Sequence, residues 1–303
     1  RIGPERKEMK LPLRSLTFLA LLSFAPLLPA QEAEKAPRET RLQDEPPVWA
    51  GSYGEAVERA KKLHGGRVLV ELREAACPDC ERMEKVVYPT ASFMAFCRDK
   101  VPVRLVVGME EGNTIARRYA VRAFPAWLIV STDGLLCGKQ EGASNQSVWV
   151  ERFVATEKEW AAFQKKVEAE KAAPSDLGAV FAVAEDAYHR FGDEMAEKRF
   201  RRVADAAKSP VELREKSLAY LASIELGSER LDAAQRDLNA LLALTKDPVL
   251  RQRAELRLVD VEIGRGERRK AEEKLKAFLE KYPVSPLRPQ AEALLQALHP
   301  AKN

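Results

Sequence analysis

The sequence predicts an α/β domain followed by an all-α helical repeat, and three observations predict it. First, Val68–Cys80, VLVELREAACPDC, is an apolar run of strand length that leads through a short loop into two cysteines separated by two residues. Second, the apolar run Ala126–Val130 ends in Ser131-Thr132-Asp133-Gly134, a hairpin turn signal. Third, from Asp176 onward Ala, Leu, Glu, Lys and Arg dominate and strand-like alternation stops. A chain of 303 residues, 46% hydrophobic and 32% charged, has the composition of a soluble globular protein with about two domains.

Taken in order, residues 1–30 have the layout of a secretory signal peptide. Lys10 and Arg14 precede the apolar run Leu16–Leu28, and Pro29-Ala30 offers a small-residue cleavage point. The competing reading, an uncleaved anchor, suffers from a run too short to span a bilayer comfortably. Export to the periplasm or a comparable compartment is expected, with no membrane span after cleavage. Removing residues 1–30 takes away five basic and two acidic side chains, so formal net charge falls from +4 to +1. That balance gives no electrostatic case for nucleic-acid binding. The cluster Arg265–Lys270 is interleaved with Glu267, Glu272 and Glu273 and reads as a solvated helix face.

Residues 31–47 hold three prolines and almost no apolar side chains, so they read as a disordered tether. The first domain is expected over 48–172. Tyr53, Ala56, Val57, Ala60 and Leu63 form a helical stripe within Trp49–His64, ended by Gly65-Gly66. Arg67–Leu72 is a buried strand by its continuous β-branched and aliphatic run. Residues 81–86 are compatible with a helix whose first turn holds the cysteines, with Pro78 at an early position where its missing N–H is not needed.

A thiol at a helix N-terminus faces unpaired N–H groups and the positive end of the helix dipole, and both favour the thiolate. Cys77 is therefore the candidate nucleophile. Cys80, nearly one turn on, is the candidate resolving cysteine, placed to attack a mixed disulfide and release the product. A zinc knuckle would need two further ligands at matching spacing, and Cys97, Cys137, His64, His189 and His299 are scattered. A purely structural bridge would close so small a loop that it constrains the unfolded chain little. Transient metal carriage by the pair ranks last, and no metal or cofactor is expected.

These residues resemble the thioredoxin family, whose members carry a strand with a buried carboxylate, a loop and a cysteine pair opening a helix. The resemblance covers about Trp49–Lys171 and implies a central mixed sheet flanked by helices. It places Glu71 at the carboxylate position and Val101–Val107 as the next strand, with a helix at Ile115–Tyr119. Pro125 takes the position of a cis-proline set against the cysteine pair, and Gly142 that of a glycine near the site. Ala76 stands where the family has Trp, and Pro78-Asp79 where it has Gly-Pro. Asp79 should partly oppose a Cys77 thiolate.

Glu71 has two readings. As a buried carboxylate it would take the proton from Cys80; alternatively it occupies an edge position paired with Lys85 or Arg73. Cys97, in the helix pattern Ser92–Lys100, reads as a small apolar core residue. Cys137 follows the hairpin turn, and a second bridge to Cys97 stays open. Ser144 is the expected N-cap of a helical region running to Ala172, interrupted near Ala155–Glu157. Ala172-Ala173-Pro174-Ser175 then breaks the pattern.

Residues 176–303 are expected to form helical repeats. Gly192, Gly227 and Gly264 recur at spacings of 35 and 37, each before a polar helix start. Ala196/Phe200/Val203/Ala204, Ala234/Leu238/Leu241/Leu242 and Ala271/Leu275/Phe278/Leu279 repeat one register. The period resembles tetratricopeptide repeats, helix pairs stacked into a solenoid, with Leu287–Leu298 as a closing helix. His189 and Tyr188 most simply pack or face solvent.

The expected function is an exported thiol–disulfide oxidoreductase acting on protein thiols and disulfides through Cys77, Cys80, Glu71 and Pro125, served by a redox partner protein. The repeats would offer a surface to a protein ligand. The alternative is a non-catalytic envelope scaffold in which the repeats bind a partner and the first domain is structural.

Overall fold

The computed structural model describes residues 47–299. The expectations for residues 1–30, and for the tether up to 46, lie outside the described residues. Among the described residues, no helix is long and apolar enough to cross a membrane.

Four strands form one mixed sheet in the order β2-β1-β3-β4: β1 Arg67–Arg73, β2 Lys100–Val106, β3 Ala126–Ser131 and β4 Leu136–Glu141. β1 pairs parallel with β2 and antiparallel with β3, which pairs antiparallel with β4. β1 is therefore interior and covered on both faces, and this is why its sequence runs apolar without alternation. Val68, Val70 and Leu72 meet helices α1 (Tyr53–Ala60) and α4 (Glu110–Arg118) in one core. Leu69 points the other way and meets α2 (Pro78–Val86), α3 (Ala91–Phe96) and α5 (Gln146–Ala172), with Trp127, Ile129, Trp149 and Phe153. Sheet and flanking helices make a thioredoxin-like fold.

Helix α5 departs from its expected form in two ways. Its N-cap is Asn145, whose side chain accepts from Val148 N, rather than Ser144. The break expected at Ala155–Glu157 does not occur, because those residues have tertiary work that a continuous helix permits. Glu157 pairs with Arg67 at 2.5 Å and Lys100 at 3.2 Å. Thr156 lies against Gly138, where a Cβ would meet its Oγ1 at 2.5 Å, so the glycine lets α5 approach β4.

Seven further helices follow: α6 Leu177–His189, α7 Asp193–Asp205, α8 Val211–Gly227, α9 Leu231–Leu244, α10 Pro248–Gly264, α11 Arg268–Lys281 and α12 Arg288–Leu298. Each packs on its neighbours in sequence, as a helical-repeat region does. Three of the turns are built alike. Phe191, Glu229 and Gly266 take left-handed φ values of 58°, 57° and 74°. The next N–H then returns to the carbonyl five residues back: Gly192 to Ala187, Arg230 to Glu225 and Glu267 to Glu262, at 2.8–2.9 Å. These turns recur at 38 and 37 residues, the spacing of the buried sets Ala196/Phe200/Val203, Ala234/Leu238/Leu241 and Ala271/Leu275/Phe278.

The glycine register must be corrected accordingly. Gly227 and Gly264 each close a first helix, whereas Gly192 is the N-cap of α7, three residues out of step. A Cβ at Gly192 would meet Leu135 Cδ2 at 2.1 Å, so this glycine answers to the β3–β4 hairpin and not to the repeat.

The hairpin is where sheet and array join. Leu135 and Phe163 belong to the core of α6–α10. Leu136 N donates to Arg190 O at 2.9 Å, and Arg190 Nη1 donates to Leu136 O at 3.1 Å. Phe191 sets its ring edge-on to Tyr119, centroids 5.7 Å apart, which accounts for a bulky residue tolerated in the left-handed region. Helix α5 thus serves both cores, with Trp149 and Phe153 in one and Phe163 in the other.

Candidate active site

The C-terminal end of β1 opens into the exposed residues Glu74, Ala75 and Ala76, and the chain then turns into α2. Cys77 is the N-cap of that helix, with Pro78 in its first turn. Cys77 and Cys80 form a disulfide with Cα atoms 5.2 Å apart, and Cys80 N donates to Cys77 Sγ at 3.2 Å. The sulfur expected as nucleophile thus sits at the helix end where a thiolate is favoured. Cys77 keeps 6% exposure while Cys80 is fully buried, so an incoming group reaches Cys77 first.

Asp79 and Arg82 are both exposed and pair at 2.9 Å, which partly offsets the negative charge beside Cys77. Cys80 and Met83 share the buried face of α2, and Met83 and the C-cap residue Val87 pack with Leu69. Glu71 points to the same side of β1 as Leu69, two residues nearer the strand end from which α2 begins.

Pro125 is buried, follows a cis peptide bond from Phe124 and directly precedes β3. Because Ala126 pairs with Leu72, Pro125 stands at the end of the sheet from which the cysteine loop leaves. Its carbonyl accepts from Gly142 N at 2.8 Å, and Gly142 itself has φ 81°, a conformation suited to glycine. Structure and topology bring Cys77, Cys80, Glu71 and Pro125 to one end of the sheet.

The edge-position reading of Glu71 does not hold, since β1 is interior and the side chain is fully buried. Nor is Lys85 its partner. Arg104, directly opposite in β2, donates from Nε to Glu71 Oε2 at 2.7 Å, and Tyr88 Oη donates to Oε1 at 2.7 Å. Arg73 is farther, at 4.0 Å. Glu84 closes the cluster from α2, meeting Arg104 Nη2 at 2.8 Å and Arg73 Nη1 at 2.5 Å. Trp49 lies over the Arg104 guanidinium, 4.7 Å from ring to Cζ.

Sequence reasoning missed Arg104 and Tyr88. A lone cation inside the apolar run Val101–Val107 was the available signal for Arg104, the one exposed position of β2, whose residues from Val101 are otherwise apolar. Nothing in the sequence marks Tyr88.

Cys97 and Cys137 are buried free thiols in the same core cluster, so the open question of a second bridge is answered by two reduced side chains. Burial pushes both up to about 12, which keeps them as thiols. His189 and Tyr188 pack near Tyr220, with centroids 6.2 and 4.9 Å away.

No family model matches the chain, and no curated protein matches it in sequence. Among solved structures it is similar to an oxidoreductase named DsbH, at 16% identity and a TM-score of 0.33 over 43% of this chain and 95% of that one. It is also similar to a candidate disulphide isomerase from Bacteroides thetaiotaomicron, at 22% identity and a TM-score of 0.34 over 38% of this chain and 95% of that one. A thioredoxin from Thermus thermophilus is similar at 25% identity and a TM-score of 0.32, over 35% of this chain and 84% of that one.

Proposed function

We propose that this protein is an exported thiol–disulfide oxidoreductase acting on protein substrates. The observation that carries the reading is the Cys77–Cys80 disulfide at the N-terminus of α2, at the same end of the sheet as the buried Pro125. In the reducing direction, the Cys77 thiolate attacks a substrate disulfide, and one substrate sulfur leaves as a thiolate that solvent protonates. Cys80 then loses its proton to Glu71 and attacks Cys77 Sγ. The Cys77–Cys80 bond forms, the bond from Cys77 to substrate breaks, and the second substrate sulfur departs as a thiolate that is protonated by solvent. The substrate gains two electrons and the cysteine pair loses them. The oxidising direction is the reverse, and a redox partner protein restores the starting state.

The helical array supplies a surface for a protein ligand, a reading supported by its repeated helix hairpins. It is attached at the hairpin end of the sheet, roughly one strand length from the cysteines, about 20 Å. Attachment at that end supports a role in holding a partner.

Cys80→Ser removes the resolving sulfur, so Cys77 should accumulate as a mixed disulfide with substrate or glutathione. Denaturing gels and mass spectrometry check this, alongside insulin-disulfide reduction by the wild type. No trapped adduct and no turnover would sink the proposal. A phenotype that survives Cys77→Ser but not loss of residues 176–303 would favour the scaffold alternative.

A further inference from the structure

We infer that Tyr88 is a positioning residue for the resolving step, its phenol fixing the Glu71 carboxylate that accepts the Cys80 proton. The inference rests on the oxidoreductase reading and deepens it. Tyr88 follows α2 in the chain, so the helix that carries Cys80 also leads to the group that binds the proposed base.

The charged and titratable groups facing Glu71 come from three elements and a link. Arg73 comes from β1, Glu84 from α2, Arg104 from β2 and Tyr88 from the segment between α2 and α3. Arg104 is shared: its Nε serves Glu71 and its Nη2 serves Glu84, which also takes Arg73. Two carboxylates thus divide two guanidinium groups, and the Tyr88 hydroxyl is an undivided short donor to Glu71 Oε1. A hydrogen bond given to the charged form of an acid favours that form. Burial first, then the Glu71 charge, raises the Tyr88 phenol, so it remains a donor throughout the pH range in which thiols exchange.

The ring has a separate job. It stacks on Phe93 at 4.9 Å and meets Trp127 edge-on at 5.3 Å, contacts that Tyr88→Phe keeps while removing only the hydroxyl. This separation allows a positioning role to be told from packing.

In the step itself, Cys80 Sγ–H gives its proton to Glu71, becoming a thiolate, and attacks Cys77 Sγ. The bond from Cys77 to the substrate sulfur breaks and that sulfur leaves with the electron pair. Tyr88 exchanges no electrons or protons. It holds the acceptor oxygen in place before transfer, and its bond weakens as Glu71 takes up the proton.

The test uses the full chain. The mixed disulfide of Cys77 with dithiodipyridine is formed at low pH, a pH jump starts resolution, and released thiopyridone is followed by absorbance. The wild type should show a rate that rises with pH to a plateau. Tyr88→Phe should move the midpoint up by about one pH unit, the scale of one hydrogen bond to a charged group, with the plateau preserved. Glu71→Gln should slow resolution and flatten the profile, and adding Tyr88→Phe to it should change nothing further. Site-specific 3-fluorotyrosine at position 88, a stronger donor in an almost unchanged shape, should move the midpoint down and serves if Tyr88→Phe does not fold. An unmoved midpoint in an active wild-type background, or an equal shift with and without Glu71→Gln, overturns the inference alone. A wild type that forms no mixed disulfide overturns the oxidoreductase reading, and this inference with it.

Discussion

Four cysteines occupy this chain, and their surroundings divide them into two kinds of chemistry. Cys77 sits at a helix N-terminus and keeps 6% exposure, and the fully buried Cys80 is one turn behind it. Cys97 and Cys137 lie in the aromatic core beside Phe93, Trp127 and Phe153, where desolvation raises them to about 12. At pH 8 the thiolate fraction of a thiol near 12 is about three orders of magnitude below that of an ordinary cysteine. In the oxidised protein no thiol should alkylate quickly. After mild reduction one should, at Cys77, with Cys80, Cys97 and Cys137 reacting only as the fold opens. Timed alkylation with peptide mass mapping checks this, and fast labelling of Cys137 in the folded chain would contradict its assigned burial.

Among the helices, equivalent turns show which features belong to the repeat and which to the junction. Left-handed residues at Phe191, Glu229 and Gly266 recur with the buried Ala and Leu or Phe sets, whereas the glycines serve separate local needs. Gly192 accommodates Leu135, while a Cβ at Gly227 would meet nothing within 4 Å. Gly192→Ala should therefore destabilise by roughly 1–3 kcal/mol through overpacking. Gly227→Ala should be neutral or stabilising by up to about 1 kcal/mol, because alanine is the better helix former. Thermal or urea unfolding reads both. In a Leu135→Ala background the Gly192→Ala cost should shrink, since the two sites touch.

At the scale of the molecule, sheet and array are joined by a shared core and a backbone link. Leu135 and Phe163 lose their cover if residues 176–303 are removed, and Leu136 loses both of its bonds to Arg190. Exposing two large apolar side chains costs on the order of 3–6 kcal/mol. A chain ending at 175 should melt well below the full-length protein. Because the lost contacts lie at the hairpin end, the folded fraction should still exchange disulfides at Cys77. Differential scanning calorimetry and single-turnover reduction of glutathione disulfide check the two halves of this expectation. An undiminished melting temperature would mean that the array adds nothing to the sheet domain.

Periodicity and local chemistry were sufficient for most of the architecture. The apolar run at β1, the turn at 131–134, the cysteine spacing and the repeating small and large residues at Ala196, Ala234 and Ala271 all act within one element or between neighbours. Their meaning is therefore carried along the chain. The unbroken α5, the true role of Gly192 and the partners of Glu71 depend on residues far apart in sequence: Arg67 with Glu157, Leu135 with Gly192, Arg104 and Tyr88 with Glu71. Spacing along the chain was enough to locate the paired cysteines and the elements that carry them. What surrounds the buried carboxylate, and where the array attaches, came from the folded chain, because a charge withdrawn from water takes its partners from whichever strands and helices close around it.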